Sequence, residues 1–156
     1  MEISLQNRQK DRSINLSMLR RLIRTILQRD FESPDAQLGV HLVSPKEMTE
    51  VNQQYLNHNG STDVITFDHS DEESDEIYGE LFISVADAVK QGNVYGASWQ
   101  SELARYIIHG ILHLRDYDDV AADDRKAMKL EENRILETVS ARHDLARLER
   151  PGRIKR

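Results

Sequence analysis

The chain has 156 residues, 31% of them charged and 38% hydrophobic, which suits one soluble globular domain with room for a sizeable core. It contains no cysteine, so disulfide scaffolds, thiolate zinc sites and cysteine nucleophiles are excluded, and any transition-metal site must use His, Asp or Glu. The net charge of −6 argues against bulk electrostatic coating of nucleic acid, but it is unevenly spread: residues 1–30 sum to +4, 61–90 to −8 and 121–156 to +3.

Residues 1–7 alternate with Ile3 and Leu5 on one side, as a short strand does, and nothing at the amino end resembles a signal peptide. No stretch approaches the ~18 apolar residues of a membrane span, so the expected location is the cytoplasm. From the candidate N-cap Asn15, Leu16, Leu19, Leu22, Ile23, Ile26 and Leu27 recur at helical spacing, with Arg20, Arg21, Arg24 and Arg29 between them. Ser33-Pro34-Asp35 breaks this helix, and Leu38, Val40 and Leu42 then alternate as a strand ending at Ser44. Ser44-Pro45-Lys46-Glu47 sets a capping serine, an N1 proline and a capping-box glutamate before a second helix through about Tyr55.

Asn57 to Ser61 is turn chemistry leading into a β-prone run, Asp63 to Phe67. Residues 68–76 are too acidic to pack and read as a mobile loop before a strand from Ile77 to Val85. Ser84 caps a helix expected over Val85–Gln91, and Ser98 starts one running to about Arg115. A last helix spans 121–140, with Met128, Ile135, Leu136 and Val139 inward, and residues 141–156 form a basic tail expected to be frayed. The whole reads as an α+β domain over 1–140, with a four-stranded mixed sheet and about five helices.

The helix after Ser98 is apolar around most of its circumference. Its polar sector holds Glu102, Arg105, His109, His113 and Asp116, with two imidazoles one turn apart. Histidines at this spacing can be hydrogen-bonded core residues or can reach a single ion. A catalytic zinc takes three protein ligands and keeps an open position for water. Asp116, Asp118 and Asp119 lie within six residues of His113, and Asp119 stands at the interval where metzincins place their third ligand. A carboxylate in that place also tolerates other divalent metals. The glutamate that serves HExxH peptidases as general base is Gly110 here, which disfavours a metallopeptidase.

His109-Gly110-Ile111-Leu112-His113-Leu114 followed by Tyr117-Asp118 resembles the H-G-x-L-H-L-x-G-Y-D-H signature of the YbeY family of bacterial endoribonucleases and rRNA maturation factors. Asn52, Tyr55, Thr62 to Phe67, Gly79 to Ser84, and Met128 with Glu132 fit other segments of that pattern, over roughly residues 45–136. The resemblance implies a metalloprotein that binds one zinc ion through three histidines and cleaves single-stranded RNA. It also implies roles in 16S rRNA 3′-end maturation and ribosome quality control, with the small ribosomal subunit or its proteins as partners. In this chain the third ligand becomes Asp119, the glycine before Tyr117-Asp118 becomes Asp116, and the family arginine after the tyrosine becomes Leu56. A ribosome-assembly or RNA-binding factor with reduced catalysis is the alternative that these departures motivate. Asp118 is a candidate to orient a ligating imidazole, or equally to make a helix-exit hydrogen bond. Arg20, Arg21, Arg24, Arg142 and Arg147, with Arg150, Arg153, Lys155 and Arg156, are candidate phosphate contacts, and His58 and His69 flank the expected cleft.

Overall fold

A computed structural model describes residues 1–56, 63–71 and 73–151. The alternating segments become four strands, β1 (Glu2–Asn7), β2 (Gln37–Val43), β3 (Val64–Asp68) and β4 (Tyr78–Ser84), in the spatial order β1-β2-β4-β3. β1, β2 and β4 are mutually parallel and β3 runs antiparallel to β4, so the sheet is mixed as expected. The helices are α1 (Leu16–Thr25), α2 (Pro45–Leu56), α3 (Val85–Tyr95), α4 (Trp99–Leu114) and α5 (Ala122–Arg142).

Side-chain alternation divides the sheet between two apolar cores. Leu38, Val40, Leu42, Leu81 and Ile83 are buried with the inner faces of α1, α4 and α5. On the opposite face, Val43 and Ile65 pack with Met48 and Val51 of α2. The Asn15 cap forms as expected, its Oδ1 accepting from Met18 N–H. At α2 only half of the capping box is made: Ser44 Oγ accepts from Glu47 N–H, while the Glu47 carboxylate turns away to the Arg8 guanidinium at 2.7 Å.

Three segments differ from the sequence reading. The last turn of the first helix widens to a π segment over Ile26–Asp30, and it still buries Ile26 and Leu27. Helix α3 runs through Gly92 to Tyr95 and ends at Gly96, whose φ of 69° gives the left-handed cap; Gly92 stays inside because Ala97 O would lie 2.6 Å from any Cβ there. The tail expected to fray from Ala141 instead continues α5 to Arg142 and adds a 3-10 turn, Leu145–Leu148. Leu148 is fully buried, its carbonyl accepts from Asn15 N–H, and Glu149 bridges Ile14. Average charge hid this anchor, because one apolar side chain and a few backbone hydrogen bonds suffice to dock the segment. The acidic loop is likewise tied down at one end: Glu76 accepts from Ser33 Oγ and from Asp35 N–H. The turn at 57–61, with His58, and Arg153, Lys155 and Arg156 lie outside the described residues.

Helix α4 runs through the centre of the domain, and even Gln100 and Glu102 are buried on it. Gly110 faces β4, where a Cβ would stand 2.7 Å from Leu81 Cδ2, so position 110 is a packing contact and has no room for a catalytic glutamate. Because Leu81 is itself fully buried, Gly110→Ala should destabilise the fold by about 1–3 kcal/mol through overpacking, read as a lower urea midpoint with unchanged slope. A midpoint equal to wild type would show that β4 yields freely.

Candidate metal centre

His109 and His113 project from the last two turns of α4, one turn apart, with their rings edge-to-face. Each ring is held through Nδ1. The Nδ1–H of His113 donates to Tyr117 O at 3.1 Å, and that of His109 donates to Glu132 Oε2 at 2.9 Å. A carbonyl and a carboxylate can only accept, so both neutral rings carry the proton on Nδ1 and aim an unprotonated Nε2 inward. The two Nε2 atoms stand 3.1 Å apart. Facing lone pairs at that distance repel, and either a metal ion between them or an Nε2–H on one protonated ring, donating to the other, relieves the repulsion.

The return of the chain after α4 brings in the third donor. Asp116 takes φ 68°, the left-handed conformation that a glycine would adopt most easily, and Tyr117 N–H closes back on Leu112 O. Asp118 Oδ1 then accepts from Val120 N–H, an Asx-type turn that leaves Asp119 beside the imidazoles. Asp119 Oδ2 lies 3.6 Å from His113 Nε2 and 3.8 Å from His109 Nε2. Bonds of about 2.0–2.1 Å at tetrahedral angles place two ligand atoms about 3.3 Å apart, so these three donors have the spacing of a half-open metal site. Among the described residues, this is the one set of three His, Asp or Glu side chains with ligand atoms within 4.8 Å of one another.

Asp118 thus makes the helix-exit hydrogen bond, and the imidazoles are oriented by Glu132 and the Tyr117 carbonyl. Glu132 is almost fully buried on α5, where it also accepts from Arg105 Nη1 at 2.7 Å. Burial alone would push its carboxyl up; the hydrogen bonds from His109 and Arg105 and the charge of Lys129 outweigh this and hold it at about 2. For His109, burial opposes the charged form, but the Glu132 hydrogen bond and the charges of Glu132, Asp63 and Asp119 prevail and raise its basicity. A signal for Glu132 was present in the sequence: it falls on the inward stripe with Met128, Ile135 and Val139. A carboxylate on a core stripe needs a buried partner.

Next to the centre lies a cavity of about 580 Å³, lined by His109, Asp119 and Glu132 and by four cations, Arg105, Arg125, Lys126 and Lys129. Among the described residues, none of the arginines proposed from the sequence as phosphate contacts lines it. Arg20 donates to Ile3 O; Arg21 and Arg142 meet around His143, at the far end of α5; Arg24 and Arg147 are exposed. His69 pairs with Glu80 on the sheet face opposite α4.

The fold and its two-histidine helix have relatives. The chain matches the family model described as Endoribonuclease YbeY over residues 4–140. The chain belongs to the YbeY family. An endoribonuclease YbeY of Azobacteroides pseudotrichonymphae is 40% identical over 81% of this chain and 89% of that protein. One of Desulforamulus reducens is 30% identical over 88% and 96%. The solution structure of TM1509 from Thermotoga maritima superposes with a TM-score of 0.68 at 26% identity, covering 99% of both chains. The YbeY resemblance read from the histidine motif thus extends to the whole α+β frame, including β1 and α1, which lay outside the motif segments.

Proposed function

We propose that this chain is a metal-dependent endoribonuclease that cuts single-stranded RNA, acting in the cytoplasm on the 3′ end of 16S rRNA and in ribosome quality control at the small subunit. The observation that carries the reading is the pair of inward Nε2 atoms at 3.1 Å, completed by the Asp119 carboxylate, in a chain of the YbeY family. His109, His113 and Asp119 would hold the ion, with zinc the first candidate and the carboxylate extending the range to other divalent metals. When bound, the ion supplies Lewis acidity toward a phosphodiester oxygen and lowers the pKa of water in the open position. Glu132 fixes the tautomer and ring angle of His109, and Tyr117 O does so for His113. Arg105, anchored on Glu132 and Asn133, stands at the cavity wall, where it offers a fixed positive charge to an RNA phosphate. Among the described residues, no helix is long and apolar enough to cross a membrane.

The test is incubation of the purified protein with single-stranded RNA, with and without chelator, beside elemental analysis of wild type and Asp119→Ala. Cleavage that stops on chelation and returns on refilling with zinc supports the proposal, as does a metal content reduced in Asp119→Ala. RNA binding with no cleavage by the zinc-loaded protein would replace it with the assembly-factor reading. Full metal occupancy in Asp119→Ala would remove Asp119 from the ligand set.

A further inference from the structure

We infer that the first half of α5 is a phosphate track, in which Arg125 and Lys126 hold the backbone of the single-stranded RNA as it enters the metal centre, with Lys129 between them and the Glu132 carboxylate. The inference rests on the nuclease reading above and adds the binding residues to it.

The charges that line the cavity divide into two groups. Four carboxylates and four cations line it. Glu132 is paired with Arg105, with Lys129 at 3.4 Å and with His109, while Glu102 lies 3.9 Å from Arg105. Asp119 faces the two imidazoles. Asp63 lines the same cavity and is itself engaged by a partner. The carboxylates are thus committed inward, to the ion site or to the base of the cavity. Arg125 and Lys126 are different: both are exposed, and neither has a side-chain partner among the described residues. The cavity therefore has an inner wall whose charges cancel and an outer wall of unspent positive charge.

Helical geometry gives that wall a direction. Arg125 and Lys129 are one turn apart on one face, and Lys126 is three residues before Lys129. Successive cations about 5–6 Å apart along a helix match an extended polyanion better than one compact phosphate. A volume of about 580 Å³ is within the range of sites that enclose a small ligand, but this one continues onto the open surface of α5, as a strand requires. Charge complementarity and position agree on the occupant: an acyclic phosphodiester chain whose scissile bond lies at His109, His113 and Asp119. Lys126 and Arg142 are 16 positions apart, about 24 Å along the helix, so the basic cluster at Arg21 and Arg142 is a separate surface.

The experiment measures single-turnover cleavage of a short fluorescent single-stranded RNA by the zinc-loaded protein at several salt concentrations, giving a half-saturation concentration and its salt slope. Arg125→Gln with Lys126→Gln should raise half-saturation about tenfold or more near 0.1 M salt, and should lower the slope of log affinity against log salt by about 1.4, near 0.7 per lost contact. Lys10→Gln with Lys46→Gln removes the same two charges elsewhere and should shift half-saturation several-fold less. An unchanged half-saturation and slope in the α5 variant, or an equal loss in the Lys10, Lys46 variant, overturns the track while leaving the nuclease reading intact. Absence of cleavage by the zinc-loaded wild type would overturn the nuclease reading and the track with it. Circular dichroism and thermal midpoint of both variants should match wild type, since all four side chains are exposed.

Discussion

His113→Ala is expected to leave a folded protein that neither retains metal nor cleaves RNA. The side chain sits at the open end of α4, where alanine has the better helix propensity, and its one protein hydrogen bond by Nδ1 is to a backbone carbonyl. Loss of that bond costs about 1 kcal/mol, partly offset by the gain in propensity. The effect on chemistry is of another size. Removing one of three ligands leaves His109 and Asp119, two donors about 3.8 Å apart. The Lewis acidity lost with the ion is worth several kcal/mol, and at about 1.36 kcal/mol per decade the cleavage rate should fall by roughly three orders of magnitude. Elemental analysis and a chelator-controlled cleavage assay read both parts. Full metal occupancy in His113→Ala, with a wild-type rate, would move the centre elsewhere.

The second large effect should come from Glu132, which touches no metal. Glu132→Gln keeps the shape of the side chain but removes the charge that His109, Arg105 and Lys129 share. A free amide also competes as a donor against His109 Nδ1–H, so the ring loses its fixed tautomer. Metal affinity should fall by about 10–100-fold, measured by competition with a chromophoric chelator, as is general for groups that orient ligating imidazoles. Glu132→Ala should go further, destabilising the metal-free protein by about 3 kcal/mol because Arg105 is left facing a vacated buried site.

The acid limb gives a separate readout. A carboxyl held at about 2 against an ordinary 4.5 stabilises the fold fully above the ordinary range and loses that contribution as pH falls toward 2. Metal-free wild type should therefore lose stability more steeply between these values than Glu132→Gln. Equal acid profiles and equal metal affinities would reduce Glu132 to a packing residue.

The two histidines were legible because their placement is a local property: a four-residue spacing on a helix whose other positions are apolar requires nothing from the rest of the chain. The strands were legible for the same reason, through alternation at Ile3 and Leu5 and at Leu38, Val40 and Leu42. The pairing of imidazole with carboxylate was not, since His109 and Glu132 are 23 positions apart and meet only when α5 packs on α4. The interval placed Asp119 beside the histidines, and of the two readings open for Asp118, orienting an imidazole or making a helix-exit hydrogen bond, the structure shows the second. Local positive charge density in the sequence is highest on α1 and in the tail, away from the cavity. Which cations border the cavity depends on helix packing, and Arg125, Lys126 and Lys129 are interleaved with Asp123, Asp124, Glu131 and Glu132, which makes their stretch look neutral.

The docking of Leu148 makes the first helix depend on the far end of the described chain. Asn15, which caps α1, closes its backbone hydrogen bond on Leu148 O, and Ser13 O accepts from Arg150 N–H, so the first helix is finished by the last turn. His109 acquires its proton partner only when residue 132 has been made. Contacts of such long sequence separation form late in folding. Both histidines lie on α4, so the frame that aims them belongs to the folded domain and not to that helix alone.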